Sequence, residues 1–507
     1  MTISIQIPES DRLYTASQTR QLDHRTIHEF GIDGFTLMEI AASGAAQQIL
    51  NYQGENRTGL FICGKGNNAG DALAAARYLM NDSNHSASIL LLFGDDDLSD
   101  DTQKNLNLLI KCQQAGANVT FIDSIHESDF NKTDYIVDGL FGTGLKGDLR
   151  DPVPDLIQTV NQSGLPVYAM DIPTGLNADT GDIHGSAIKA TSTFTFGTQK
   201  IGFYLNQADQ YTGSIHLIPL PFPRHLYEQP SARLIRGDLT SPHSISRKGA
   251  RHKYDGGVVH IIAGSEGLTG AAILAARSAW KQGAGAVFLY SPSKLMPVYD
   301  LNLPNIIKVP VGNPSDSYFR EDHAETIIQS LQNKPGALLI GPGLGKNSET
   351  GKLLKKIVQS HDGFVVLDAD GLSFYDQFKK VPDNRKKKWI LTPHIGEAKS
   401  FLNGDFTEND FSRHQWAQSF AENQNVTLLL KGNPLFVAQP GLESYITGYK
   451  TTMFNRAGFG DVLSGAIISI LSITSNPETA LISALLDGYQ TYTDLDSSEP
   501  FSPEHLL

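Results

Sequence analysis

Two α/β domains, each built on a mostly parallel sheet, are the architecture the sequence predicts. Three observations lead there. Short apolar strands alternate with helical patterns along nearly the whole chain, as in sheets covered on both faces. Strand ends repeatedly empty into glycine-punctuated loops that open apolar helices, the place where open parallel sheets bind ligands. Between Leu220 and Arg236 the composition shifts, with three prolines in the ten residues PFPRHLYEQP, which separates two such runs. A length of 507 residues exceeds one ordinary core. The boundary is placed near Tyr227, giving domains 1–226 and 227–507.

Residues 11 to 50 read as helices, with an alanine-rich apolar face from Leu37 through Ile49. The first strand is then Gly59 to Cys63, and it runs into GKGNNAGDALAAARYL, where Asn67, Asn68 and Asp71 sit in a loop before an alanine-rich helix. Tyr135 to Val137 is a second strand end, followed by Asp138 and GLFGTGLKGD. Pro166 to Met170 is a third, followed by Asp171 and IPTGLNADTG. Asn68, Asp138 and Asp171 are thereby offered to one crevice, although Asn and Asp are also ordinary turn residues. A further strand, Thr193 to Phe196, precedes Lys200 and a last strand from Ile215 to Ile218.

The second half opens with HKYDGGVVHIIAGSEGLTGAAILAARSAWKQGAGAVFL, a strand, a glycine loop, a small-residue helix and a strand. Strand ends follow in ALLIGPGLG, VVLDADGL, WILTPHIGEAKSFL and VTLLLKGNPLFVA, which would gather Gly343, Asp368, Asp370, His394, Glu397, Lys431 and Asp461 at one edge. In NRAGFGDVLSG a glycine turn meets an apolar helix, so that helix starts at or just before Asp461. The unpaired amides and partial positive charge of a helix start suit an anion. A carboxylate beside bound phosphate can deprotonate an attacking hydroxyl; it can also simply cap the helix.

Composition narrows the class. Lys plus Arg number 41 against 54 Asp plus Glu, a formal charge of −13, which argues against a nucleic-acid surface. No stretch reaches the ~18 apolar residues of a membrane span. MTISIQIPESDR is not a typical secretory signal. Cys63 and Cys112 form neither a disulfide framework nor a zinc pattern. A cytoplasmic location is expected, with no nucleic-acid or membrane partner.

GKGNNAGDALAAARYL, DGLFGTG and LPVYAMDIPTGLNADTG resemble the motifs of NAD(P)H-hydrate epimerases, Rossmann-like three-layer domains, over about residues 10 to 220. That resemblance implies that Asn67, Asn68, Ala69, Gly70 and Asp71, with Gly142, Thr143, Gly144, Leu145, Lys146, Gly147 and Asp148, hold the hydrated nucleotide. It implies that Asn68, Asp138 and Thr174 bind potassium and that Asp171 is the acid/base group. Ala69 and Ala72 stand where the family usually has glycine.

KYDGG, GPGLG, DADGL, TPHIGE, LKGN and GDVLSG, in that order, are similar to ADP-dependent NAD(P)H-hydrate dehydratases of the ribokinase-like superfamily, over about residues 235 to 495. The resemblance implies that Ala272, Gly343, His394 and Asp461 contact the hydrate, that Lys431, Gly432, Asn433, Pro434, Leu435 and Gly460 hold the nucleotide, and that Mg2+ accompanies ADP. Asp461 would then be the catalytic base. RAGFGD departs from the usual TGGSGD, Leu268 stands where an aromatic is common, and Asp487 where histidine is frequent.

The expected function is repair of hydrated NADH and NADPH (NADHX, NADPHX), by epimerising the R and S hydrates and dehydrating the S form with ADP. A homo-oligomer is expected. The alternatives are a ribokinase-like vitamin-precursor kinase and a first domain that is a non-catalytic nucleotide-binding or protein-interaction module.

Overall fold

The alternation of apolar runs and glycine loops is realised as two parallel sheets in a computed structural model that describes residues 8–83, 85–145, 147–241, 256–495 and 499–507. Two units result. One holds residues 8–232 with Asn409–Phe411, the other Arg233–Glu408 and Ser412–Leu507. The division thus falls a few residues beyond Tyr227. The reason is local: Leu226 is buried with Leu22, Leu37 and Phe222, and the Ser231 amide donates to the Leu13 carbonyl at 2.9 Å. The chain therefore stays attached to the first core past the proline-rich stretch.

In the first unit seven parallel strands follow the order Val119–Ile122, Ser86–Leu91, Thr58–Cys63, Tyr135–Gly139, Val167–Met170, Ser192–Phe196, Ser214–Ile218. The two halves of this order run outward from Thr58–Cys63 and Tyr135–Gly139, which makes their junction the topological switch point. Helices Gly34–Gln53, Asn67–Ser83 and Asp100–Gln114 cover one face, and Val153–Gln162 packs on the other. The run Ala69, Ala72, Ala74, Ala75 and Ala76 is fully buried, because small side chains let that helix lie close to the sheet.

The expectation of helix throughout residues 11 to 50 is corrected at its start. Arg12–Tyr14 is a strand, paired in parallel with Gln199–Lys200. So short a strand exists through a partner far away in sequence, and three residues carry no periodicity of their own. The helix that follows, Ala16–Arg25, begins with Thr15 and Gln18 in a reciprocal capping box.

The second sheet has the order Ile307–Val311, Ala286–Pro292, Val258–Ile262, Ala337–Ile340, Val365–Leu367, Trp389–Leu391, Thr427–Leu430, all parallel. It continues through the antiparallel strands Phe436–Ala438 and Tyr445–Thr447 to Ala232–Ile235. Its switch point lies between Val258–Ile262 and Ala337–Ile340. Helices Thr269–Lys281 and Phe459–Thr474 pack against this region, with the Ser278 hydroxyl donating to the Val462 carbonyl at 2.6 Å. Residues 253–255 of KYDGG lie outside the described residues. No helix among the described residues is long and apolar enough to cross a membrane.

Candidate active sites

At the first switch point the loops after Cys63 and Gly139 border a cavity of about 630 Å3, a size that suits a small-molecule ligand. Asn67, Asn68, Asp71, Gly142, Thr143, Gly144, Leu145 and Asp171 line it. Ala69 and Gly70 face the protein interior instead, and Gly147 and Asp148 are exposed beyond the cavity lining. Lys146 lies outside the described residues.

Beneath the cavity sits Asp138, 1% exposed. Its carboxylate accepts from the Thr174 amide at 2.7 Å, the Thr174 hydroxyl at 2.7 Å and the Leu140 amide at 3.2 Å. Burial pushes it up to about 6 against the pull of those donors. The side-chain oxygen and nitrogen of Asn68 are buried with no hydrogen-bond partner among the described residues. A buried amide oxygen and a buried carboxylate both have the chemistry of hard-cation ligands.

Asp171 stands at the end of Val167–Met170 with φ of +60°, a left-handed conformation that a non-glycine residue keeps only when its surroundings enforce it. The enforcement is visible. Its amide donates to the Phe194 carbonyl at 2.8 Å, and one carboxylate oxygen accepts from the Phe196 amide at 3.3 Å and from the Lys200 ammonium. Lys200 is fully buried and also donates to the Thr195 hydroxyl at 2.8 Å and the Thr198 carbonyl at 3.2 Å. The sequence singled out Lys200 without giving it this partner. A lone lysine two residues past a glycine turn carries no local signal of burial.

In the second unit Asp461 is the third residue of helix Phe459–Thr474, and the cap is Gly458 with φ of +96°. Asp461 therefore does not cap this helix. Among the described residues no side chain caps it; the Phe459 amide donates to the Arg456 carbonyl at 3.4 Å, which leaves the Gly460 and Asp461 amides for a ligand. Among the described residues the Asp461 carboxylate makes no hydrogen bond. Burial first, then Asp368, raises it to about 7 against the pull of Lys431, with Asp370 and Glu397 adding to the rise.

Lys431 is fixed by Asp368, Nζ to Oδ1 at 2.8 Å, and that same oxygen accepts from the Thr392 hydroxyl at 2.8 Å. The Asp370 carboxylate accepts from the Gly345 amide at 2.9 Å. His394 caps helix Ile395–Phe401, its Nδ1 accepting from the Gly396 amide at 3.0 Å while Glu397 returns the bond to the His394 amide at 2.9 Å. An Nδ1 that accepts leaves the proton on Nε2. The strand bridge between His394 and Lys431 joins the TPHIGE and LKGN loops.

Gly343 holds φ of +63°, and a methyl group there would meet the Leu268 carbonyl at 2.3 Å. Gly343→Ala is expected to destabilise this unit by roughly 1–3 kcal/mol, read as a lowered midpoint in urea unfolding of the full chain. Ala272 is fully buried in the core under this edge, while its neighbour Ala271 faces Gly343.

A narrow cavity of about 130 Å3 opens beside the helix start, bordered by Lys431, Gly432, Leu435 and Gly460 together with Tyr449, Thr451, Phe454, Leu485 and Asp487. Pro434 is buried and Asn433 exposed; neither is among the residues bordering it. The Asn433 side-chain oxygen accepts from the Thr451 amide at 2.9 Å and so ties the LKGN loop to the segment after strand Tyr445–Thr447. Phe459 turns inward, its ring 4.9 Å from Phe501 and 5.5 Å from Phe454. Arg456 donates to the Phe501 carbonyl at 3.1 Å. The RAGFGD departure thus serves packing and leaves the anion position to backbone amides.

Comparison with known proteins gives two family matches. Residues 34–202 match the model described as YjeF-related protein N-terminus, and residues 259–491 match that of NAD(P)H-hydrate dehydratase. The bifunctional NAD(P)H-hydrate repair enzyme Nnr of Salinibacter ruber is 31% identical over 94% of this chain and 90% of its own. That of Dictyoglomus turgidum is 31% identical over 95% and 93%. A solved ADP/ATP-dependent NAD(P)H-hydrate dehydratase from Bacillus subtilis, co-crystallized with ATP and Mg2+, is 24% identical over 51% of this chain and 89% of that one, at a TM-score of 0.44.

Proposed function

The chain belongs to the bifunctional NAD(P)H-hydrate repair enzymes, and from that premise we propose that its two switch-point sites divide the repair between them. The first unit interconverts the R and S hydrates and the second dehydrates the S form at the expense of ADP. The observation that carries this reading is that an acidic side chain stands beside a glycine turn in each unit: Asp171 lines the cavity at the first switch point, and Asp461 lies in the first turn of the helix that follows Gly458.

In the first site Asp171, ion-paired with Lys200, serves as the acid/base group. Asn68, Asp138 and Thr174 fit a potassium ion, given the unpartnered Asn68 oxygen. The ion would offset the buried negative charge and draw substrate oxygen toward the loops.

In the second site the apolar slot by Leu435, Tyr449 and Leu485 takes the adenine, and its phosphates meet Lys431 and the open amides of the helix start. Asp461 removes the proton of the ring hydroxyl as that oxygen attacks the terminal phosphorus, and the bond from that phosphorus to AMP breaks. The carbon–oxygen bond then breaks with help from the ring nitrogen lone pair, and the oxygen departs as phosphate, a far better leaving group than hydroxide. The neighbouring ring carbon gives a proton to water as the ring double bond returns. Among the described residues the four carboxylates Asp368, Asp370, Glu397 and Asp461 face one ammonium, Lys431. Magnesium carried on the nucleotide would balance that excess and neutralise charge developing on the transferring group.

The test is to supply purified R hydrate with ADP and follow nicotinamide absorbance and phosphate release together. Recovery of both in equal amounts, beyond the slow spontaneous rate, is the expected result. No recovery from R hydrate alongside full recovery from S hydrate overturns the first half of the reading.

A further inference from the structure

Asp171 is not the sole acid in its cavity. Asp23, on helix Ala16–Arg25, and Asp71, on helix Asn67–Ser83, line the same space. Among the described residues neither carboxyl makes a hydrogen bond or an ion pair, whereas Asp171 holds the ammonium of Lys200. Of these three carboxyl groups only that of Asp171 is ion-paired among the described residues. Arg20 and Asp101 also border the cavity.

The chemistry of epimerisation asks for two proton-transfer groups. Adding water across an enamine double bond places the hydroxyl on the carbon bonded to nitrogen. Inverting that carbon through loss of water requires an acid to protonate the departing hydroxyl. The nitrogen lone pair then forms a carbon–nitrogen double bond as water leaves. Water adds to the opposite face, the double-bond electrons return to nitrogen, and a base takes the extra proton. The acid and the base start in opposite protonation states, and a reverse turnover exchanges their roles.

We infer that Asp23 is the second proton-transfer group of this site, the acid that protonates the departing hydroxyl while Asp171 takes the proton of the incoming water. This rests on the reading of the first unit as the epimerising one. Burial, with Asp171 next to it, raises Asp23 to about 6 against the opposing pull of Lys200. Asp71 is buried more completely and is raised well above the usual carboxylate range by burial, Asp171 and Asp23. An acid works best with its pKa near the working pH, and about 6 suits Asp23 as the donor.

The test uses the full chain, with initial rates of R-to-S conversion measured by chromatography across pH. Wild type is expected to lose rate as pH rises through about 6, where Asp23 gives up its proton. Asp23→Asn is expected to slow conversion about 10²- to 10⁴-fold and to abolish that limb. Asp23→Glu is expected to recover part of the rate and keep a limb. Dehydration of S hydrate by the same preparations, unchanged in both variants, shows that the chain is folded. Conversion by Asp23→Asn at the wild-type rate with the wild-type pH profile overturns the inference. Equal loss in both variants, with hydrate binding gone, also overturns it, because Asp23 would then only support the cavity wall. A wild-type chain that converts no R hydrate overturns the parent reading and this inference together.

Discussion

Asp461→Asn is expected to lower the rate of S-hydrate dehydration by about 10²- to 10⁴-fold while leaving R-to-S conversion at the wild-type rate. The asparagine keeps the shape of the side chain and its place in the first turn of the helix, so the backbone amides proposed to meet the nucleotide are unchanged. What it removes is the acceptor for the hydroxyl proton. The wild-type pH profile supplies an independent check. Asp461 is raised to about 7 by burial and by Asp368, and as a base it works only when ionised. For the free enzyme kcat/KM should therefore climb as pH rises through about 7 and flatten above it. The asparagine variant should show no such climb. Dehydration at the wild-type rate in the variant removes the base role.

Asp171→Asn should give the complementary phenotype. Conversion of R hydrate falls by a comparable 10²- to 10⁴-fold or so, S hydrate is dehydrated normally, and an equal mixture of epimers is repaired quickly only in its S half. Asparagine tolerates a left-handed backbone, so φ of +60° survives the substitution. The cost appears at Lys200, whose ammonium is fully buried and loses its anionic partner. The variant is accordingly expected to melt at a lower temperature than wild type, and the epimerisation assay is run below that transition. Rapid repair of both halves of the mixture would show that Asp171 moves no essential proton.

Much of this arrangement was legible in the chain, and the parts that were not share a cause. Tyr135 to Val137, Pro166 to Met170 and Thr193 to Phe196 are apolar runs ended by glycine or aspartate, and the strands Tyr135–Gly139, Val167–Met170 and Ser192–Phe196 match them closely. Their pattern is local, and a parallel strand buried on both faces needs nothing more to be recognised. The helix at Asp461 was placed correctly for the same reason, since Val462, Ala466, Ile467, Ile470 and Leu471 are all buried on it.

Long-range pairing left no such trace. Arg12–Tyr14 becomes a strand through Gln199–Lys200, and Lys200 acquires its meaning from Asp171. Asp23 sits in a helix whose spacing says nothing of the cavity beside it. Phe459 stands where the usual TGGSGD has serine. Its ring belongs to a cluster with Phe454 and Phe501 that no local reading could assemble.

The backbone at Asp171 also bears on how this position can change over generations. A single-nucleotide change in an aspartate codon gives asparagine, glycine, alanine, valine, glutamate, histidine or tyrosine. Asparagine and glycine are the replacements that most readily accept the φ of +60° recorded there, and neither carries charge. Glutamate retains the charge, yet its longer chain has no comparable ease in that conformation. Inheritance at this codon therefore faces a fork between geometry and ionisation, and lineages that still interconvert the hydrates should keep the aspartate even where neighbouring residues drift.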